Sequence, residues 1–141
     1  MRQGPTKGVQ RAPRPARREI LIRAGIIAIR ARLLDTPTAD WIWARLPIYA
    51  LAETCGAALQ FETFAGPGVE ADARSTVHPG AIAFGVQTNR VVIGFGATSR
   101  SQSEEIPLPC ECNIWAMALD DVKALSLVRP GESIALLVAE S

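Results

Sequence analysis

Histidine occurs once in this sequence, at position 78, cysteine only three times, and aromatic residues make up just 6% of it. Each scarcity removes a class of chemistry. A Ser–His–acid triad needs an oriented imidazole, but His78 stands before Pro79-Gly80 in a turn. No strand–serine–helix elbow surrounds any serine. Cys55, Cys110, Cys112 and His78 would make a zinc set on paper, yet their spacing is not that of a C-x-x-C knuckle. Isolated cysteines read as small buried apolar residues, so neither a metal nor any other cofactor is expected. Cys110 and Cys112 fall on one face of a strand, which raises redox chemistry without establishing a disulfide geometry. There is no phosphate-cradling Walker loop. Gly94-Phe95-Gly96 lacks the third glycine and the following helix of a dinucleotide fingerprint. No apolar run approaches the ~18 residues that span a bilayer, and the N-terminus lacks the apolar centre of a secretory signal. The expectation is no membrane partner and a cytoplasmic location.

What is present is an ordinary soluble composition over 141 residues, 48% hydrophobic and 21% charged, enough for one domain with a real core. The net charge of +1 hides an asymmetry. Six basic residues, Arg2, Lys7, Arg11, Arg14, Arg17 and Arg18, precede the first acid, Glu19. The remainder is acidic, with nine basic residues against fourteen acids. Residues 1–18 therefore read as a disordered basic arm rich in Pro, Gly and Arg, and residues 19–141 as the domain. The arm has no aromatic side chain to stack on a base, so nucleic acid is not an expected partner.

The domain reads as mainly β. Ile20 and Ile22, then Ile27, Ile29, Ala31 and Leu33, alternate with polar residues around a turn at Ala24-Gly25. Thr36 and Pro37 are an N-cap and a first helical residue, with Trp41, Ala44 and Leu46 on the expected inward stripe and Pro47 ending the helix. A weak strand spans Ile48–Glu53 and a stronger one Ala57–Phe64. Residues Val69–Thr76 read as a surface excursion. The organising hairpin pairs Ala81–Phe84 with Val91–Phe95 across the polar loop Gln87-Thr88-Asn89-Arg90. A long loop, Ala97–Pro109, leads to a strand over Cys110–Ala118. A short helix capped by Asp120 or Asp121 follows, then a type II turn at Arg129-Pro130-Gly131-Glu132 and a last strand over Ser133–Ala139. Eight short strands and two short helices predict a closed eight-stranded barrel.

The order of several short motifs resembles a small, poorly characterised family of prokaryotic cyclophilin-like proteins. They are Asp35-Thr36-Pro37-Thr38-Ala39, Val77 with Pro79-Gly80, Phe95-Gly96 with Thr98, and the run Asn113–Leu125 followed by Val128-Arg129-Pro130-Gly131. The resemblance covers Glu19 to about Val138 and implies a cyclophilin-type barrel. The chain departs from the family where Ala81 replaces an Asp, Gly85 a Trp, and Val86-Gln87 a Pro-Pro. True cyclophilins isomerise prolyl bonds with an arginine beside an aromatic-lined pocket, in a Phe-His-Arg string that is absent here. Phe61, Phe84 and Phe95 with Arg90 are the residues that could substitute. The expected function is binding of a small molecule or a proline-containing peptide, without demonstrated catalysis. The expected site is Phe61, Phe84, Gln87, Asn89, Arg90, Phe95 and Thr98. A prolyl isomerase with a non-standard site is the alternative, and a homo-oligomeric structural subunit a third.

Overall fold

In a computed structural model, which describes residues 18–96 and 105–139, the chain forms one antiparallel sheet. Its strands are β1 (Glu19–Ala24), β2 (Ile27–Leu33), β3 (Ile48–Leu51), β4 (Glu53–Cys55), β5 (Ala58–Glu62), β6 (Arg74–Val77), β7 (Ala81–Gly85), β8 (Arg90–Gly94), β9 (Ile106–Ala118) and β10 (Ser133–Val138). Helix α1 (Pro37–Arg45) and a 3-10 helix (Val122–Leu127) complete the described elements. The sheet runs β3-β10-β1-β2-β9-β7-β8-β5-β4, with β6 added beside β9.

The expected eight-stranded closed barrel is corrected to ten described strands in a sheet that hydrogen bonds do not close. Part of the difference lies in a stretch read from the sequence as a single weak strand. The chain from Ile48 to Cys55 divides at Ala52. Its N–H donates to the Glu132 carbonyl and its carbonyl accepts from the Gly131 N–H, both at 2.8 Å. With both groups committed to the β10 turn, the chain changes partners there. β3 pairs with β10 and β4 with β5. The two ends of the sheet are thus joined by the chain itself.

Two other strands were underestimated. β9 begins at Ile106, inside the stretch expected to be loop, because its N-terminal part pairs with β6 rather than β7. β6 in turn occupies the end of the expected surface excursion. Residues 97–104 lie outside the described residues, as does the arm as far as residue 17. Arg18 is buried, bonded to Asp40 at 2.9 Å and to the Leu34 carbonyl at 3.0 Å, and lies over the Trp43 ring.

Local chemistry accounts for the connections. Gly25 at φ 59 opens the two-residue β1–β2 turn, a conformation that costs glycine little. Thr36 caps α1 by accepting from the Ala39 N–H. The buried stripe of α1 is Thr38, Ala39 and Ile42, not the expected Trp41, Ala44 and Leu46. Both tryptophans are half-buried at the core's margin. The expected second helix is a 3-10 helix capped by Asp121, as its six residues leave little room for α-helical turns.

The main core fills the inside of the sheet with Ile20, Ile22, Ile29, Phe61, Ile82, Phe84, Val91, Ile93 and Trp115. A polar cluster crosses it. Asn113, fully buried on β9, donates to Thr38 Oγ1 at 2.9 Å and to the Gly68 carbonyl at 3.0 Å, and accepts from the Glu70 N–H at 2.9 Å. Glu70 accepts in turn from the Thr38 N–H and hydroxyl at the start of α1. A carboxylate there also suits the helix dipole. This amide ties the segment after β5 to α1 and β9. Asn113→Ala removes one donor group and one acceptor from a dry site. Urea unfolding should show a loss of about 3 kcal/mol, whereas a loss below about 1 kcal/mol would place the tie elsewhere.

Candidate functional site

At the hairpin, the aromatic and the polar residues are separated. Phe61 and Phe84 have no exposed surface and Phe95 only 9%. Phe84 stacks obliquely against Trp41, ring centroids 5.5 Å apart, and its other side is closed by Gly66, where a Cβ would come within 2.5 Å of the ring. All three rings are packing. Gln87 is exposed at the tip of the β7–β8 turn. Asn89 holds φ 55, the left-handed conformation asparagine tolerates, and its carbonyl accepts from the Thr63 N–H. Thr98 lies outside the described residues.

Arg90 is paired with Glu53. Nε and Nη2 reach the two carboxylate oxygens of Glu53 at 2.8 and 3.1 Å, and Nη1 donates to the Thr88 carbonyl. The Arg90 bond is the largest influence holding the Glu53 carboxyl below its usual range, and the same bond raises Arg90. Gln60 adds a further donor to Glu53. A prolyl isomerase needs an open aromatic pocket and a donor aimed at the twisting amide. Here the three rings are buried and Arg90 is paired with Glu53.

A second surface presents what the hairpin does not. On the outer face of β3, β10 and β1, register aligns Tyr49, Ala135, Arg23 and then Ala28 of β2 in one row, and Leu137, Leu21 and Arg30 in the next. Alanine on both sides of Arg23 leaves its long side chain standing between depressions. One open groove of about 560 Å³ is lined by Tyr49, Leu51, Ala135, Ser133, Gly25 and Arg23. Another of about 630 Å³ is lined by Leu21, Leu137, Val138, Pro47, Arg30 and Arg23. Arg23 is common to both. Tyr49 and Leu51 are 71% and 62% exposed, large values for apolar residues on a sheet. Arg30 is held by Asp120, whose carboxyl is lowered first by the Arg30 backbone N–H. Arg23 forms no ion pair among the described residues. The sequence did carry a sign of this face. Ile20-Leu21-Ile22 and Ile134–Val138 are apolar on both faces, more than a strand with one buried side requires.

The thiols divide by environment. Cys55 is exposed, Cys110 half-buried and Cys112 buried. Burial, then the neighbouring Cys110, pushes the Cys112 thiol up to about 12. Among the described residues no group of three His, Cys, Asp or Glu side chains could hold a metal ion. No described helix is long and apolar enough to cross a membrane.

This architecture is that of a cyclophilin-like sheet. The family model for cyclophilin-like proteins matches residues 18–137, and the chain belongs to that family. Among solved structures it is similar to a hypothetical protein from Archaeoglobus fulgidus, determined in solution. The two share 22% identity and a TM-score of 0.72, over 89% of this chain and 98% of the other. At that identity the likeness concerns the fold. None of the curated proteins matches.

The thiol environment is testable. The folded Cys112 keeps its proton to about pH 12, against an ordinary value of 9.0. Stability owed to the neutral thiol is therefore complete below pH 9 and lost as the pH rises from 9 towards 12. In urea unfolding, the wild type should lose stability relative to Cys112→Ala across that window. Parallel profiles would show that the thiol ionises freely.

Proposed function

We propose that this cyclophilin-like domain binds a ligand without transforming it, and that the ligand lies on the grooved outer face of β3, β10 and β1. The observation that carries this reading is Arg23, which stands between two apolar grooves with no ion pair among the described residues. Apolar walls supply area-dependent affinity. One guanidinium supplies orientation through a charge-assisted bond. The fitting chemistry is an extended apolar body carrying a carboxylate, and two sources share it. One is a small acyl carboxylate; the other is a peptide ending in apolar residues with a free C-terminus.

The isomerase alternative has less support. It would require Phe61, Phe84 and Phe95 to open and Arg90 to leave Glu53. A self-associating subunit would use the same apolar face, and light scattering over a concentration series separates it from a ligand-binding monomer.

Thermal shift against medium-chain acyl carboxylates in one arm and against short peptides with apolar C-termini in the other identifies the source, because binding to the native state raises the melting point. Arg23→Glu should weaken the ligand found by roughly ten- to a hundredfold, the range implied by one lost charge-assisted bond. Ala135→Trp should fill the groove beside Tyr49. Binding unaffected by either change, or self-association on the same face, would overturn the assignment. A protease-coupled assay on a proline peptide should show no acceleration. An acceleration lost in Arg90→Ala would restore the isomerase.

A further inference from the structure

We propose that Cys110 and Cys112, with the Thr88 hydroxyl, form a site for a soft, thiophilic cation of the monovalent copper class. The site is separate from the grooved face. It lies on the other side of the sheet path, where β9 passes β7.

Its geometry follows from strand alternation. Cys110 and Cys112 are two residues apart on β9 and so point to one side. Gly85 of β7 pairs with Cys112. The position a Cβ of Gly85 would take lies 2.6 Å from Thr88 Oγ1, 3.2 Å from Cys110 Sγ and 3.6 Å from Cys112 Sγ. Three soft or polar donor atoms therefore converge over Gly85. Glycine is what lets them approach, since any side chain there would strike the hydroxyl.

Thr88 Oγ1 is buried and has no hydrogen-bond partner among the described residues. A buried hydroxyl without a partner is costly, and a cation held by the neighbouring thiolates would give its oxygen one. The surroundings select for softness. Ala58, Ala83, Val92, Leu108 and Ile114 pack around Cys112 and supply neither carboxylate nor imidazole. Sulfur donors in an apolar shell favour monovalent copper over hard cations, which need oxygen ligands. Such an ion is satisfied by two sulfurs, so a cluster of three ionisable ligands is unnecessary.

Access is asymmetric. Cys110 is half-buried and meets the ion first, while Cys112 closes the inner side. In the free protein the Cys112 thiol donates to the Cys110 carbonyl at 3.3 Å. Coordination replaces that weak bond and releases the thiol protons to solvent. No electrons are transferred.

The full chain, kept reduced under argon, is titrated with monovalent copper against a bathocuproine competitor. The expected result is one equivalent bound, with two sulfur scatterers in X-ray absorption. Binding should be lost in Cys110→Ser and retained in Cys55→Ser. Cys110 is half-buried, so its serine variant should fold, which circular dichroism checks. Cys112→Ser adds a second loss of binding where it folds. No uptake by the wild type, undiminished uptake by Cys110→Ser, or loss in Cys55→Ser would each overturn the site.

Discussion

Two backbone hydrogen bonds at Ala52 organise both surfaces of interest. They anchor the chain to the turn before β10 and let it change sheet partners within a single residue. Before Ala52, Tyr49 and Leu51 form one wall of one outer groove. After it, Glu53 reaches Arg90 and closes the hairpin end. A hydrogen-bonded closure between neighbouring strands would have required two edges in register. A continuous chain needs only the pivot, and a small residue that is 3% exposed suits it.

The same sheet is buried on both faces in one region and open on the other. β7 and β8 carry large residues inward, Ile82, Phe84, Val91 and Ile93, and small ones outward, Ala83, Gly85 and Gly94. The small outward residues allow the first half of β9 to lie close, with the Ile106 side chain resting where a Gly94 Cβ would be. That close approach also brings both β9 thiols over Gly85. At β1, β3 and β10 the outward residues are larger, and no described element covers them. The contrast places an apolar surface bearing Arg23 and Arg30 on one side of the molecule and the Cys110–Cys112 pair on another.

Much of the fold was legible in the sequence. The β1–β2 alternation, the Thr36-Pro37 cap, the hairpin about Gln87–Arg90 and the Pro130-Gly131 turn all depend on neighbours within a few residues. The structure places each where the pattern did, with Gly131 at φ 88 and the Glu132 N–H donating to the Arg129 carbonyl. The candidate site was less legible. Phe61, Phe84 and Phe95 look the same in sequence whether they line a pocket or fill a core. Whether Arg90 is available depends on Glu53, 37 residues away.

The sequence by itself determined the β-rich class, the cyclophilin-like likeness and the turns, because period, capping and left-handed glycine are local properties. Only the tertiary structure decided that the sheet ends meet through Ala52, that β9 reaches back to Ile106, and that Arg90 pairs with Glu53 while Arg23 stands between grooves. Those outcomes are set by pairings between distant strands, whose register moves a side chain from core to surface without any change in its own neighbours. The hairpin loop and the outer face were alike polar-and-apolar patterns until the fold assigned each its partner.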